Sequence, residues 1–319
     1  PLTPFHSRAA RLVRQSFNGG GAVWGFCETP EAFRSRLRLS ASVGQAKKVR
    51  AFSKIEYQMI AVILVGFFVG ALVGMTSMGG GAMMTPILVT FFRYEPAIAI
   101  GSDIVYAAIT KVVGSMAHLR QKTVDLKLVR RLAYGSVPGS LIGALSSGWI
   151  RGFLVNADEL LKLFLGVAIC LSATVLAVSL FFDVRHLKER LHDMFRVERH
   201  QFIYTVLVGL LGGLLVGLTS VGAGSIMLVL MLVIFNTSTR KLIGSDIVHA
   251  TILLFTSGIV HLFSGNVNWA LVMALLIGSI PGVLIGSRLA GHVPMRYLKI
   301  VLVVVFLFLG GQLVYRFFR

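Results

Sequence analysis

The sequence predicts an all-α protein: a polytopic bundle of transmembrane helices built from two homologous repeats, each with a glycine-broken or re-entrant helix. Three observations carry that prediction. Of 319 residues 55% are apolar and only 14% charged, a composition outside the range of soluble globular domains. From about residue 57 onward, apolar stretches alternate with short polar linkers. Finally, the chain repeats itself at a fixed offset of 143 residues: sliding 66–144 onto 209–287 leaves 32 of 79 positions identical, with no gap. The matches include Ser, Thr, Asp, His, Gly and Pro, the residues a bilayer tolerates least without a reason.

The apolar stretches 57–75, 97–119, 127–149, 159–182, 201–218, 243–263, 267–290 and 295–317 are each near the length of about 20 residues that crosses a hydrocarbon core. Two shorter ones, 82–92 and 225–235, read as half-helices, one in each repeat. Non-helical backbone at that depth must be buried in protein or line a wet cavity. The resulting organisation is a basic arm (1–54), a first repeat (55–182), a charged linker (183–200) read as cytoplasmic, and a second repeat (201–319).

The net charge of +18 is not a nucleic-acid footprint, because no aromatic interleaving and no zinc-ligand spacing accompany it. Ten Lys/Arg fall in the first 54 residues against Glu28 and Glu31, and most of the others flank spans, as the positive-inside bias produces. The arm suits contact with an anionic leaflet. It is Arg-rich like an organellar presequence and lacks the apolar core of a secretory signal, and we read it as a cytosolic tail. Cys27 and Cys170 form no framework, and no metal or cofactor motif is present. The basic arm and basic linker each precede the first span of a repeat, which favours parallel halves. The basic loop Arg120–Arg131 and its uncharged counterpart Phe263–Trp269 argue the other way, for inverted halves. Parallel halves are the expectation taken here.

Three motifs carry chemistry. The first is G-x-T-S-x-G-x-G, Gly74 to Gly81 and again Gly217 to Gly224. Glycines between a full span and a short one should break the helix. Thr76, Ser77, Gly79 and Gly81, with Thr219, Ser220, Gly222 and Gly224, are then placed where a new helix begins. Free amides and hydroxyls there suit an anion, and paired broken helices mark a transporter's central site. Gly66 and Gly70 read as close-packing positions instead, and Pro138-Gly139 and Pro281-Gly282 as architectural.

The second motif is GSDIV, which places Asp103 and Asp246 in membrane helices, either capping or pairing locally near the interface, or binding a coupling proton or orienting the broken helix. The third set shares those helices: at 100° per residue, Asp103, Lys111 and His118 lie on one face, as do Asp246 and His261, with His249 close by. Lys111 aligns with Leu254 and so stands outside the duplicated pattern.

These residues resemble the sulfite exporter TauE/SafE family of membrane permeases. The resemblance spans about residues 57–319 and rests on Gly74-Met75-Thr76-Ser77-Met78-Gly79-Gly80-Gly81, Gly101-Ser102-Asp103, the Pro-Gly pairs and their second copies. It implies a multi-pass protein of the bacterial inner membrane moving sulfite, a sulfonate or a related sulfur oxoanion, and it leaves the arm unexplained. A proton-driven secondary transporter for a small anion is the leading expectation, since no P-loop is present to use ATP. Two other classes stand beside it. One is an intramembrane hydrolase with Ser220 as nucleophile and His261 as base, against which the doubled motif argues. The other is a membrane scaffold or sensor anchored by the arm.

Overall fold

A computed structural model describes residues 57–76, 81–153, 155–181, 198–222, 224, 226–235, 237–289 and 294–319. The arm 1–54, linker residues 183–197, Ser77 and Gly79 lie outside the described residues. Regular structure among the described residues is α-helical throughout. In chain order the helices are α1 (Tyr57–Thr76), α2 (Gly81–Thr90), α3 (Pro96–Arg120), α4 (Leu126–Phe153), α5 (Ala157–Phe181), α6 (Glu198–Thr219), α7 (Ile226–Ile234), α8 (Thr239–Phe263), α9 (Trp269–Leu289) and α10 (Met295–Phe317).

Seven of these are long and apolar enough to cross a membrane. The eighth long helix, α4, has 28 residues but opens with Lys127, Arg130 and Arg131 and is rich in Ser and Gly, which lowers its hydropathy. At a rise of 1.5 Å per residue, α2 and α7 reach only about 15 Å, half of the roughly 30 Å hydrocarbon core. Their brevity has a local cause in the second copy. Ser220 (φ 63°), Gly222 (φ 108°) and Gly224 (φ 130°) all lie in left-handed backbone territory, which ends α6 and allows the chain to turn before α7. Large apolar side chains such as Phe164, Leu171, Leu211, Leu284 and Phe308 point outward, while Ser, Thr, Asp and His side chains of the long helices are turned in. That inverted polarity is what a lipid surround selects.

Two seams of close contact hold the bundle. Along α1, Gly66, Gly70 and Gly74 lie against Leu275, Ser279 and Val283 of α9. Gly278, Gly282 and Gly286 return the contact onto Ile63, Phe67 and Ala71. Along α6, Gly209, Gly213 and Gly217 lie against Leu132, Ser136 and Ser140 of α4, while Gly135, Gly139 and Gly143 return onto Val206, Leu210 and Leu214. Each contact of one seam maps onto a contact of the other by adding 143. Without a hydrophobic drive between helices in lipid, backbone approach of this kind is the main source of association. Gly139 and Gly282, which follow Pro138 and Pro281, sit inside these seams, so the Pro-Gly pairs serve packing.

The directions of the helices correct the expectation of parallel halves. Gly101, near the start of α3, packs on the Asn266 carbonyl just past the end of α8; Gly244, near the start of α8, packs on the Thr123 carbonyl just past the end of α3. Helices α3 and α8 are therefore antiparallel. So are α5 and α10, since Gly166 meets Leu313 and Val314 while Cys170 meets Gly310. Elements 143 or 137 residues apart run in opposite directions, because each short helix reverses the chain and five passes leave the next copy starting from the other side.

Candidate functional site

GSDIV divides into two parts with different work. The Ser102 hydroxyl accepts a hydrogen bond from the Asn268 backbone amide (2.9 Å), and the Ser245 hydroxyl accepts one from the Asp125 amide (2.8 Å). Asn268 and Asp125 in turn cap the next helices: Asn268 Oδ1 accepts from the Leu271 amide, and Asp125 Oδ1 from the Lys127 and Leu128 amides. A Cβ at Gly101 or Gly244 would collide with the loop being docked. Gly-Ser thus fastens each loop to the opposite half and leaves the aspartate to face the interior.

Asp103 and Asp246 are both buried within the bundle (0% and 2% exposed). Asp103 Oδ2 accepts hydrogen bonds from Thr85 Oγ1 of α2 (2.6 Å) and from Ser220 Oγ at the end of α6 (2.9 Å). Its Oδ1 has no hydrogen-bond partner among the described residues. Asp246 stands in different company: its charge interacts with that of Lys111 on α3, and its Oδ1 also has no hydrogen-bond partner. One turn on from Asp246, His249 also feels Lys111, and its Nε2 lies 2.7 Å from Ser136 Oγ.

The expected site residues are therefore partly assembled. Thr76 and Thr219 are the last residues of α1 and α6 rather than the first of a new helix, which corrects their expected place. Each hydroxyl donates to the carbonyl four residues back (Leu72, 2.7 Å; Leu215, 2.6 Å), and Thr219 also accepts from the Val221 amide. These threonines finish the helix that ends; the short helices begin at Gly81 and Ile226. Ser220 is the hydroxyl that turns to the aspartate. Gly222 accepts at its carbonyl from Gly224 and Met227, closing the turn into α7.

His261 is buried and its Nε2 donates to the Gly217 carbonyl (3.0 Å), the tautomer a carbonyl acceptor requires. Ser220 and His261 each bond elsewhere, so no nucleophile–base pair is formed. His118 lies at the cytosol-or-exterior end of α3, its Nδ1 2.9 Å from Thr123 Oγ1 in the following loop, apart from Asp103. Thr85 escaped sequence reasoning because its partner at the 143 offset is Leu228; one of two threonines in the otherwise apolar 82–92, it was the available signal. No group of three or more His, Cys, Asp or Glu able to hold a metal ion occurs among the described residues.

At the end of the bundle where α3 and α5 begin, a cavity of about 540 Å³ is lined by Arg93, Glu95, Asp158, Glu159, Lys162 and Arg316. Glu95 pairs with Arg151 (3.4 Å), which donates to Asn266 Oδ1 (2.7 Å), and burial holds the Tyr94 phenol above its ordinary range, leaving it a donor. The interior thus offers a buried acid held by hydroxyls, a buried acid beside a cation, and a polar vestibule outside them. That combination can handle small ions and protons, and it lacks the arrangement of a hydrolase.

Comparison with known proteins accords with this. A family model described as sulfite exporter TauE/SafE matches residues 62–313. Probable membrane transporter protein YjnA of Bacillus subtilis is 39% identical over 255 residues, 80% of this chain and 99% of the relative. Probable membrane transporter protein YunE of the same organism is 24% identical over 273 residues, 80% of this chain and 97% of the relative. No solved structure matches the chain. With most of its length inside the family match and its relatives covered almost end to end, this chain is a multi-pass membrane transporter, not an enzyme, and belongs to the sulfite exporter TauE/SafE family.

Proposed function

We propose that the protein is a secondary transporter for a small sulfur oxoanion, sulfite or an organosulfonate, coupled to protons and placed in the bacterial inner membrane. The observation that carries this reading is the tie from Ser220, at the strained break after α6, to buried Asp103. An acid at mid-span costs about 2.5–3.5 kcal/mol on insertion scales, so one retained beside a broken helix points to ion handling. Lys111 supplies a positive charge inside the bundle, and the starts of α2 and α7 supply backbone amides, both suited to an oxoanion. The sulfur specificity rests on the family description. The proposed substrate contacts are Ser77, Gly79 and Gly81 with Ser220, Gly222 and Gly224; Thr76 and Thr219 hold the helix ends beside them.

The orientation follows from charge. Arg120, Lys122, Lys127, Arg130, Arg131, Arg240 and Lys241 collect at one end of the bundle with Asp125 as their acid. At the other end Arg93, Arg151, Lys162 and Arg316 stand with Glu95, Asp158 and Glu159. By loop charge the first end, from which the charged linker departs at Phe181, is the cytoplasmic one, and that assignment puts the start of α1 at Tyr57, and with it the arm read above as a cytosolic tail, on the opposite side. The test is flux in proteoliposomes loaded with labelled sulfite or sulfoacetate, with and without an imposed pH gradient. Flux should respond to the gradient and fall at least tenfold in Ser77→Ala/Ser220→Ala. Unchanged flux and affinity in that double variant would remove the assignment.

A further inference from the structure

We infer that Asp103, and not Asp246, takes up and releases the coupling proton, and that Ser220 conveys its state to the broken segment before α7. This rests on the proton-coupled reading above and assigns its carrier.

The two aspartates differ in what a proton would do to their neighbours. Asp246 interacts with Lys111, and Lys111 also acts on His249. An ammonium is a donor only, so Lys111 cannot turn from donor to acceptor when Asp246 gains a proton, as a hydroxyl can. Around Asp103 the partners are hydroxyls, each with one proton to give and two lone pairs. When a proton arrives from water and bonds to Oδ2, the new O–H donates to Thr85 Oγ1 or Ser220 Oγ, and the other hydroxyl keeps donating. No charged side chain has to move.

The groups facing Asp103 from each packed element support this assignment. Helix α2 offers Thr85, and the end of α6 offers Ser220. From α8 come Asp246, His249 and His261, engaged with Lys111, Ser136 and the Gly217 carbonyl respectively. The ionisable residue of α9, Arg288, is exposed near its end, and Asp158, Glu159 and Lys162 of α5 line the outer vestibule. On α3 itself Tyr106, three residues on, senses the Asp103 charge.

The link to motion is Ser220. A hydrogen bond to an ionised carboxylate is roughly twice as strong as one between neutral groups. Protonation of Asp103 therefore loosens Ser220, whose left-handed backbone leads directly into the turn formed by Gly222 and Gly224.

The experiment is pH-difference infrared spectroscopy of the purified full-length protein, followed by flux in proteoliposomes. The wild type should show a carboxylic-acid carbonyl band that titrates. The band should vanish in Asp103→Asn and persist in Asp246→Asn. Thr85→Val and Ser220→Ala, which keep the carboxyl, should each move its midpoint, whereas Ser136→Ala should not, so the assignment stays testable if Asp103→Asn fails to fold. In liposomes Asp103→Asn should lose at least tenfold of gradient-driven flux. A band absent from the wild type, or one lost in Asp246→Asn and kept in Asp103→Asn, would overturn the inference. A wild type that titrates in the infrared but moves no sulfur oxoanion would leave the carrier standing and sink the substrate reading.

Discussion

The seam between α1 and α9 and the seam between α4 and α6 can be laid on one another residue by residue, whereas the surroundings of Asp103 and Asp246 cannot. In the seams a Cβ at Gly70 would stand 2.6 Å from the Ser279 carbonyl oxygen, and one at Gly213 would overlap the equivalent Ser136 carbonyl. At the aspartates the equivalents diverge: Thr85 faces Leu228 across the offset, Tyr106 faces His249, and Lys111 faces Leu254. Backbone contact leaves no room for alternatives, so the frame is the same in both halves. A buried charge can be accommodated by hydroxyls or by a counter-ion, and the two halves use one solution each. The frame is symmetric and the chemistry is not.

The hardest test of the symmetric frame is to put side chains into both seams. Gly135→Val and Gly278→Val each drive a branched side chain into a backbone carbonyl, of Val206 and of Ile63. Both should abolish folded protein, read as loss of the monodisperse peak on size exclusion in detergent. Gly66→Ala should be tolerated far better than Gly209→Ala, because a Cβ would lie 3.2 Å from the Leu275 oxygen in the first and 2.6 Å from the Leu132 oxygen in the second. If Gly278→Val folded while Gly135→Val did not, the seams would not be equivalent.

The asymmetric chemistry is tested by making the halves alike. Lys111→Leu installs the residue found at position 254 and leaves Asp246 without its counter-charge. The variant should lose stability in denaturant titration, because the Asp246 carboxylate then stays buried without the nearby positive charge. Lys111→Leu/Asp246→Asn should recover most of it, since it removes both charges. Asp246→Asn alone should be harmful too, because the Lys111 ammonium loses a nearby opposite charge. Full stability in Lys111→Leu would mean that the pair is not what holds Asp246.

How much of this was legible follows the same division. Span limits and half-helices were readable because length and glycine placement are local: 82–92 and 225–235 became Gly81–Thr90 and Ile226–Ile234. The threonines were placed one helix too late, since the back-bond to the carbonyl four residues earlier extends the helix that ends there. Relative direction was misread because the charged arm and linker outweighed the loops. The contrast between Arg120–Arg131 and Phe263–Trp269 was the better signal, as those loops lie directly against the spans. What the sequence could not reveal is tertiary: that Asp103 is met by Thr85, that His261 donates to Gly217, and that serine and aspartate of one motif serve different ends.

The smallest effects return to that serine. Ser102→Ala removes the acceptor for the Asn268 amide, and Ser245→Ala removes the acceptor for the Asp125 amide. Interhelical polar contacts in membrane proteins average about 0.6 kcal/mol, because the loosened state also finds partners. Both losses should be of that order and equal to one another. Asp125→Ala and Asn268→Ala should each lose about 1 kcal/mol as helix caps. Coupling Ser245→Ala with Asp125→Gly should be less than additive if the serine acts through the capped loop, since the loosened loop no longer presents a fixed amide. Additive losses, or a marked effect of Ser102→Ala on the infrared band of the neighbouring Asp103, would show that the docking serine and the ion-handling aspartate are one unit and not two.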